Sequence, residues 1–300
     1  MWRSGWLGIY NSESMKTLTE REVQILISFL GDDDPKVVSM AQDQLRTHFQ
    51  QAGPHLKEAL AKAPNELRKK LRSLLQKFHW EVLETEFREL SSRGEKRFDL
   101  EDGMFLLARF AWPDLEINQC LRVLDDMALE LALRLYSKDE PEVVLKKIND
   151  FLFKEQGFAG NKENYYDPDN SFINRLLERK VGIPISLSCL YLFLARRLHL
   201  PIYGVGMPGH FLVKYETDNA EIYVDPFNKG KIMTRLDCMR YLLGAGYGFQ
   251  ESFLTRCKPR DILKRMINNL IMIYDQRGMM DHEKQLVRFF EILNSLPSKG

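Results

Sequence analysis

His210 and Asp225 are the residues of this sequence best placed to do chemistry: a histidine and a carboxylate fifteen residues apart, at the two ends of a segment that reads as a β-hairpin. His210 follows Pro208-Gly209, and residues 211–215 then alternate apolar and polar side chains as a half-buried strand does. A polar turn over 217–220 returns the chain as 221–225. With the turn there, the two side chains meet across adjacent strands. A carboxylate beside an imidazole fixes its tautomer and prepares it as a base. Taken singly, each residue also has a structural reading, since Asp-Pro-Phe-Asn over 225–228 is good turn chemistry.

What the pair could do depends on a nucleophile. The segment before the hairpin, from Pro184 to Leu198, is an apolar helix, with proline at a first position where its missing N–H is not needed. Cys189 is the nearby thiol, with Leu187, Leu190, Tyr191, Leu192 and Phe193 around it, which reads as core packing. Ser186 and Ser188 are the nearby hydroxyls. Serines near a helix start more often serve local backbone groups than attack substrates.

At these residues the chain resembles the transglutaminase-like superfamily, a papain-like fold whose Cys, His and Asp sit on a helix N-terminus and two following strands. Segments 100–115, 164–187, 208–213 and 224–230 together resemble its bacterial SirB-type branch, over roughly residues 75 to 295. In that superfamily the cysteine opens the helix in a G-x-C segment, where the helix terminus lowers its pKa. The corresponding residues here are Gly182-Ile183-Pro184, so the resemblance puts Pro184 where the thiol belongs. Cys189 lies five residues further on, about 140° around and about 7.5 Å along the helix.

A Gly-, Asn- and Tyr-rich loop over 157–170 has the composition of a loop that covers a site. Its Tyr165, Tyr166 and Asn170, with the following Asn174 and with Ser186, are candidate ligand-binding residues; buttressing of the loop is the alternative.

The flanks are helical. Residues 19–30, 35–45, a stretch opened by Pro54, and 65–92 read as helices, and the first of these resemble a HEAT unit. Helices are also expected over 99–111, 115–137 and 141–154, with Asp114 and Pro141 as starts. The end, from Pro259, gives two amphipathic helices that part at Gly278 and resemble a tetratricopeptide hairpin, with its methionines in the core. The expected fold is therefore mostly helical α+β: an N-terminal helical segment, a buried helix on a small antiparallel sheet, and a C-terminal helical hairpin. The expected divisions are a tail over 1–14, then 15–92, 93–256 and 257–300.

A formal charge of +1, from 43 basic and 42 acidic residues, gives no overall attraction to nucleic acid or anionic membrane. Lys69, Lys70, Arg72 and Lys77 are a candidate basic patch, but glutamates follow on the same helix and a solvated face is the simpler reading. Four separated cysteines with no metal-ligand spacing point to reduced thiols, no metal and no cofactor. No apolar run approaches a membrane span, so a cytoplasmic chain is expected. Two functions follow. One is a non-catalytic protein that binds a protein segment or small ligand in the His/Asp cleft. The other is a cysteine-type acyl transferase or amidase using Cys189 or a serine with His210 and Asp225.

Overall fold

The structure, a computed structural model, describes residues 18–295, so the tail expected over 1–14 lies outside the described residues. The chain forms two compact units that divide between Val82 and Leu83. In the first, α1 (Glu20–Phe29) begins at Thr19, whose hydroxyl accepts from the Glu22 N–H at 3.3 Å while the Glu22 carboxylate accepts from the Thr19 N–H at 2.7 Å. α2 (Pro35–Thr47) is capped by Asp34 and has proline at its first position. α3 (Phe49–Lys62) starts earlier than expected, with Pro54 in its interior. The lost hydrogen bond is offset by packing: Phe49, on the added turn, meets Phe78 edge to face at 5.2 Å. α4 (Asn65–Ser92) contributes Leu71, Leu74 and Phe78 to a core with Val23, Ile27, Leu45 and Leu56. Of the candidate basic patch, Lys69 pairs with Glu66 at 3.2 Å, and Lys70 donates to the Leu30 carbonyl at the end of α1 at 3.1 Å.

The second unit begins with the rest of α4, where Leu83, Phe87 and Leu90 are buried. α5 (Leu100–Ala111) is capped by Asp99. α6 (Ile117–Ala132) is shorter at both ends than expected, and its N-cap is Glu116 rather than Asp114. It stops early because Asp139 accepts from the Tyr136 N–H at 2.8 Å and draws 136–139 into a turn. α7 (Pro141–Asn149) runs into one wide helical turn, Asp150–Glu155. Then follow β1 (Ala159–Gly160), α8 (Ile173–Arg179), β2 (Val181–Gly182) and α9 (Pro184–Arg197).

The hairpin sits in a four-stranded antiparallel sheet of β3 (Ile202–Val205), β4 (Leu212–Thr217), β5 (Ala220–Asp225) and β6 (Lys231–Met233), in that order. Leu212 and Tyr223 share a core with Met233 and with Cys238 and Leu242 of α10 (Arg235–Gly244). By alternation Val213 and Val224, paired across the strands and fully buried, face the opposite side, where α9 packs on β3 and β4. α9 is apolar almost all round, as a helix enclosed on all sides must be.

α11 (Pro259–Gln276) and α12 (Met280–Asn294) form the terminal hairpin around Leu263, Met266, Ile267, Leu286 and Phe289. Arg260 ties it to the end of α4 by donating to the Ser91 hydroxyl and carbonyl at 2.7 and 2.9 Å. Of its methionines only Met266 is in the core. Met272, six residues on, falls on the outer face and is 53% exposed, and Met279 and Met280 lie exposed at the bend between the helices. Among the described residues no helix is long and apolar enough to cross a membrane, and no cluster of three His, Cys, Asp or Glu could hold a metal ion.

Candidate functional site

The hairpin register, with Thr217 opposite Ala220, makes Asp225 the last residue of β5. Gly209, at φ +71°, turns the chain so that His210 enters just ahead of β4. His210 Nε2 lies 2.9 Å from Asp225 Oδ2, and the two side chains are 10% and 6% exposed. Asp225 also accepts from the Asn228 backbone N–H at 3.2 Å and from the Asn228 amide at 2.8 Å. Burial pushes the Asp225 carboxyl up, but the hydrogen bond and charge of His210, with the two Asn228 donors, outweigh it and hold the carboxyl below its ordinary value. With Nε2 on the carboxylate, Nδ1 is the ring nitrogen not engaged by Asp225.

The surroundings of the pair are aromatic. His210 contacts the Phe227 ring edge to face at 6.2 Å and the Tyr241 ring at 5.5 Å. Tyr165 reaches Phe227 at 5.9 Å and Tyr166 at 5.3 Å, which brings two of the candidate loop residues to the site. Tyr247 covers the turn before His210, its hydroxyl 2.8 Å from where a Cβ on Gly209 would be.

The opening of α9 is delivered to the same place. β1 and β2 pair in parallel, setting Gly160 beside Gly182, two residues before Pro184. Gly160 rests on Phe227, and a Cβ on it would come within 2.5 Å of the ring. Ser186 belongs to this scaffold and not to the cleft surface: it is fully buried, accepts from the Ile183 N–H at 3.0 Å and donates to the Asn170 carbonyl at 2.6 Å. Asn170 is equally buried and donates to the carbonyls of Asn164 and Tyr165 at 2.7 and 3.2 Å, so it buttresses the loop that presents the tyrosines. Asn174 is not brought to the pair, and its side-chain oxygen is buried without a hydrogen-bond partner.

On α9, the Ser188 hydroxyl points to the carbonyl of Phe211, the residue after His210, at 3.5 Å. Pro184, four residues earlier, is within about 40° of that direction, whereas Cys189 is about 100° away from it. Cys189 is fully buried, and desolvation pushes its thiol far above the ordinary range.

The sequence pattern of the transglutaminase-like superfamily matches residues 118–268, which include α9, both strands of the hairpin and the His–Asp pair. The chain belongs to that superfamily. This transglutaminase-like chain is 32% identical to a UPF0162 protein of Xylella fastidiosa over 203 residues, covering 64% of this chain and 70% of that protein. A UPF0162 protein of Vibrio cholerae is 29% identical over 165 residues, 55% of this chain and 59% of its own. The mouse F-box only protein 21 is 36% identical over 159 residues, which are 48% of this chain and 24% of that protein. No solved structure matches the chain.

Asn228, Phe227, Tyr241 and Tyr247 complete the transglutaminase-like site beyond the residues anticipated from sequence. Asn228 had a signal in the Asp-Pro-Phe-Asn turn, where an Asx side chain binds the backbone nearby. Asp225→Asn is expected to destabilise the chain by about 1–3 kcal/mol, because an amide cannot accept from His210 and both Asn228 donors at once. Since the Asp225 carboxyl is held below its unfolded value, its contribution is fully present above that unfolded value, near pH ~3.9, and is lost as pH falls through the lower folded one. Urea midpoints measured down through that window should therefore fall less steeply for Asp225→Asn than for the parent. Identical slopes would show that the carboxylate is not paired.

Proposed function

We propose that this chain is a non-catalytic member of its superfamily that binds a protein segment or small ligand in the His210–Asp225 cleft, in a regulatory or scaffold role. The observation that carries this reading is the pairing of a retained, hydrogen-bonded His–Asp couple with a proline at the helix opening. The N-terminus of α9 has no thiol at its first turn. The thiol further along is enclosed and protonated. Ser186 spends its proton on Asn170, and Ser188 directs its own to Phe211.

The exposed rings of Tyr165, Tyr166, Tyr241 and Tyr247, between 37% and 59% exposed, support binding. Tyrosine offers a large contact area with a polar tip at small entropic cost. The SirB-type resemblance, and the HEAT-like and tetratricopeptide-like character of the flanking helices, fit an interaction protein. So does the relative in which the shared segment is 24% of a much longer protein.

The test is ammonia release from a glutamine-containing peptide offered with a primary amine. No release above background is expected from the parent, from His210→Ala or from Cys189→Ala. Release that His210→Ala abolishes would reverse the reading and make this an acyl transferase.

A further inference from the structure

Arg265 of α11 reaches the His210 turn from the helical hairpin. Its Nη2 donates to the carbonyl of Met207 at 2.7 Å and to that of His210 at 2.8 Å, so one nitrogen holds both ends of the Pro208-Gly209 turn. Its guanidinium lies 5.5 Å from the centre of the Phe211 ring, and Nη1 is 3.0 Å from where a Cβ on Gly206 would be. Cys257, Tyr165, Tyr241 and Tyr247 are its titratable neighbours, the Cys257 Sγ lying 2.9 Å from the same Gly206 position.

This is an unusual place for a cation. Other arginines embedded in the second unit have carboxylates: Arg109 pairs with Glu86, Arg197 with Glu101 at 2.7 Å and Arg260 with Glu95 at 2.7 Å. Among the described residues no carboxylate pairs with Arg265. Of its five N–H groups the two on Nη2 are engaged, which leaves the Nε and Nη1 hydrogens. Taking a cation largely out of water without an opposite charge is costly, and burial accordingly works against its charged form. The two turn carbonyls do not supply the missing charge, so such a cation beside the site is a candidate for an anionic ligand.

We propose that Arg265 is the anion-reading residue of the cleft and that the ligand carries a carboxylate, as a peptide C-terminus or as a small organic acid. The inference rests on the cleft-binding reading and specifies its ligand. One guanidinium matches the single charge of a carboxylate, whereas a phosphate would bring about −1.5 to −2. The remaining Arg265 N–H groups would donate charge-assisted hydrogen bonds to the carboxylate oxygens, and the tyrosine hydroxyls near them could donate more.

N-acetylglycine and N-acetylglycinamide differ in that charge and are the probes. Titrated into the full chain with its histidine and tyrosine rings isotopically labelled, the acid is expected to shift the His210 and Tyr241 resonances saturably. The amide should bind at least tenfold more weakly. Arg265→Gln should lose at least tenfold in affinity for the acid, and Arg265→Lys, which keeps the charge, should recover part of it. N-acetyltetraglycine sorts the source: tighter binding than N-acetylglycine assigns a peptide terminus, equal binding a small acid, and either supports the inference. Should Arg265→Gln fail to fold, the acid and amide on the parent protein decide alone. An amide that binds as well as the acid, or an Arg265→Gln variant that binds the acid undiminished, overturns carboxylate recognition and leaves cleft binding standing. Inorganic phosphate binding more tightly than the acid also overturns it, as does the absence of any saturable shift. Failure of the non-catalytic reading itself would appear separately, as His210-dependent ammonia release.

Discussion

Replacing Glu101 by alanine is expected to lower the unfolding free energy by about 3–5 kcal/mol, because it strands a buried guanidinium. Glu101 lies on α5 with its side chain 3% exposed, and it receives Arg197 through both oxygens, at 2.7 and 2.8 Å, and Arg196 at 2.6 Å. Asp125 and the Phe193 carbonyl still hold Arg197 after the substitution, which favours the lower end of that range. Arg196 is half exposed and keeps Asp99, so its loss contributes little. Urea unfolding followed by circular dichroism measures the effect, as a lowered midpoint with an unchanged slope. A loss under about 1 kcal/mol would mean that the ion pairs at the end of α9 are as weak as ordinary surface pairs. The functional side of the effect is positional: α9 is fastened at its C-terminus by this network, and its N-terminus is what the cleft is built on.

Cys189 is expected to resist iodoacetamide at neutral pH by orders of magnitude relative to a free thiol. The thiolate is the reactive form, and full burial suppresses both its formation and access to it. Cys238, buried under the sheet, has its thiol pushed up to about 12 and should behave similarly. Cys120 and Cys257, half-buried, should be labelled first. Peptide mass spectrometry over a time course separates the four, and denaturant should release Cys189 and Cys238. Rapid labelling of Cys189 that His210→Ala abolishes would instead identify it as the nucleophile.

The parts of this molecule that could be read from the sequence are those whose signal is local. The hairpin was legible because its alternation and polar turn fall within fifteen residues, and the His–Asp encounter follows from that register. Thr19, Asp34 and Asp99 each cap a helix through N–H groups two or three residues away, so these helix starts are also local features. Pro54 misled, since its local penalty is overcome by Phe49 packing on Phe78, a contact between distant parts of the chain. The end of α6 was hidden for a similar reason: apolar Leu133 continues the pattern, yet Asp139 captures the backbone beyond it. In the cleft, Tyr241, Tyr247 and Arg265 arrive from α10, the loop after it and α11, and no spacing along the sequence announces that they converge on His210. The sequence offers Ser186 and Asn170 as candidate ligand-binding residues, whereas in the folded chain Ser186 bonds to the Asn170 carbonyl and Asn170 to the loop, an arrangement between separate segments that no local pattern signals.

Gly160 against Phe227 leaves no slack at the base of the cleft. A single methyl would drive apart the strand pair that launches α9 and the turn that carries Asp225. The base is therefore closely fitted, whereas the tyrosine rings nearby are partly exposed and free of such a fit. Molecules entering would be sorted by outline at the bottom and accommodated by ring rotation at the top. If the cleft binds as proposed, selectivity would show itself as a sharp size limit on the buried end of a guest, with wide tolerance for whatever trails outside.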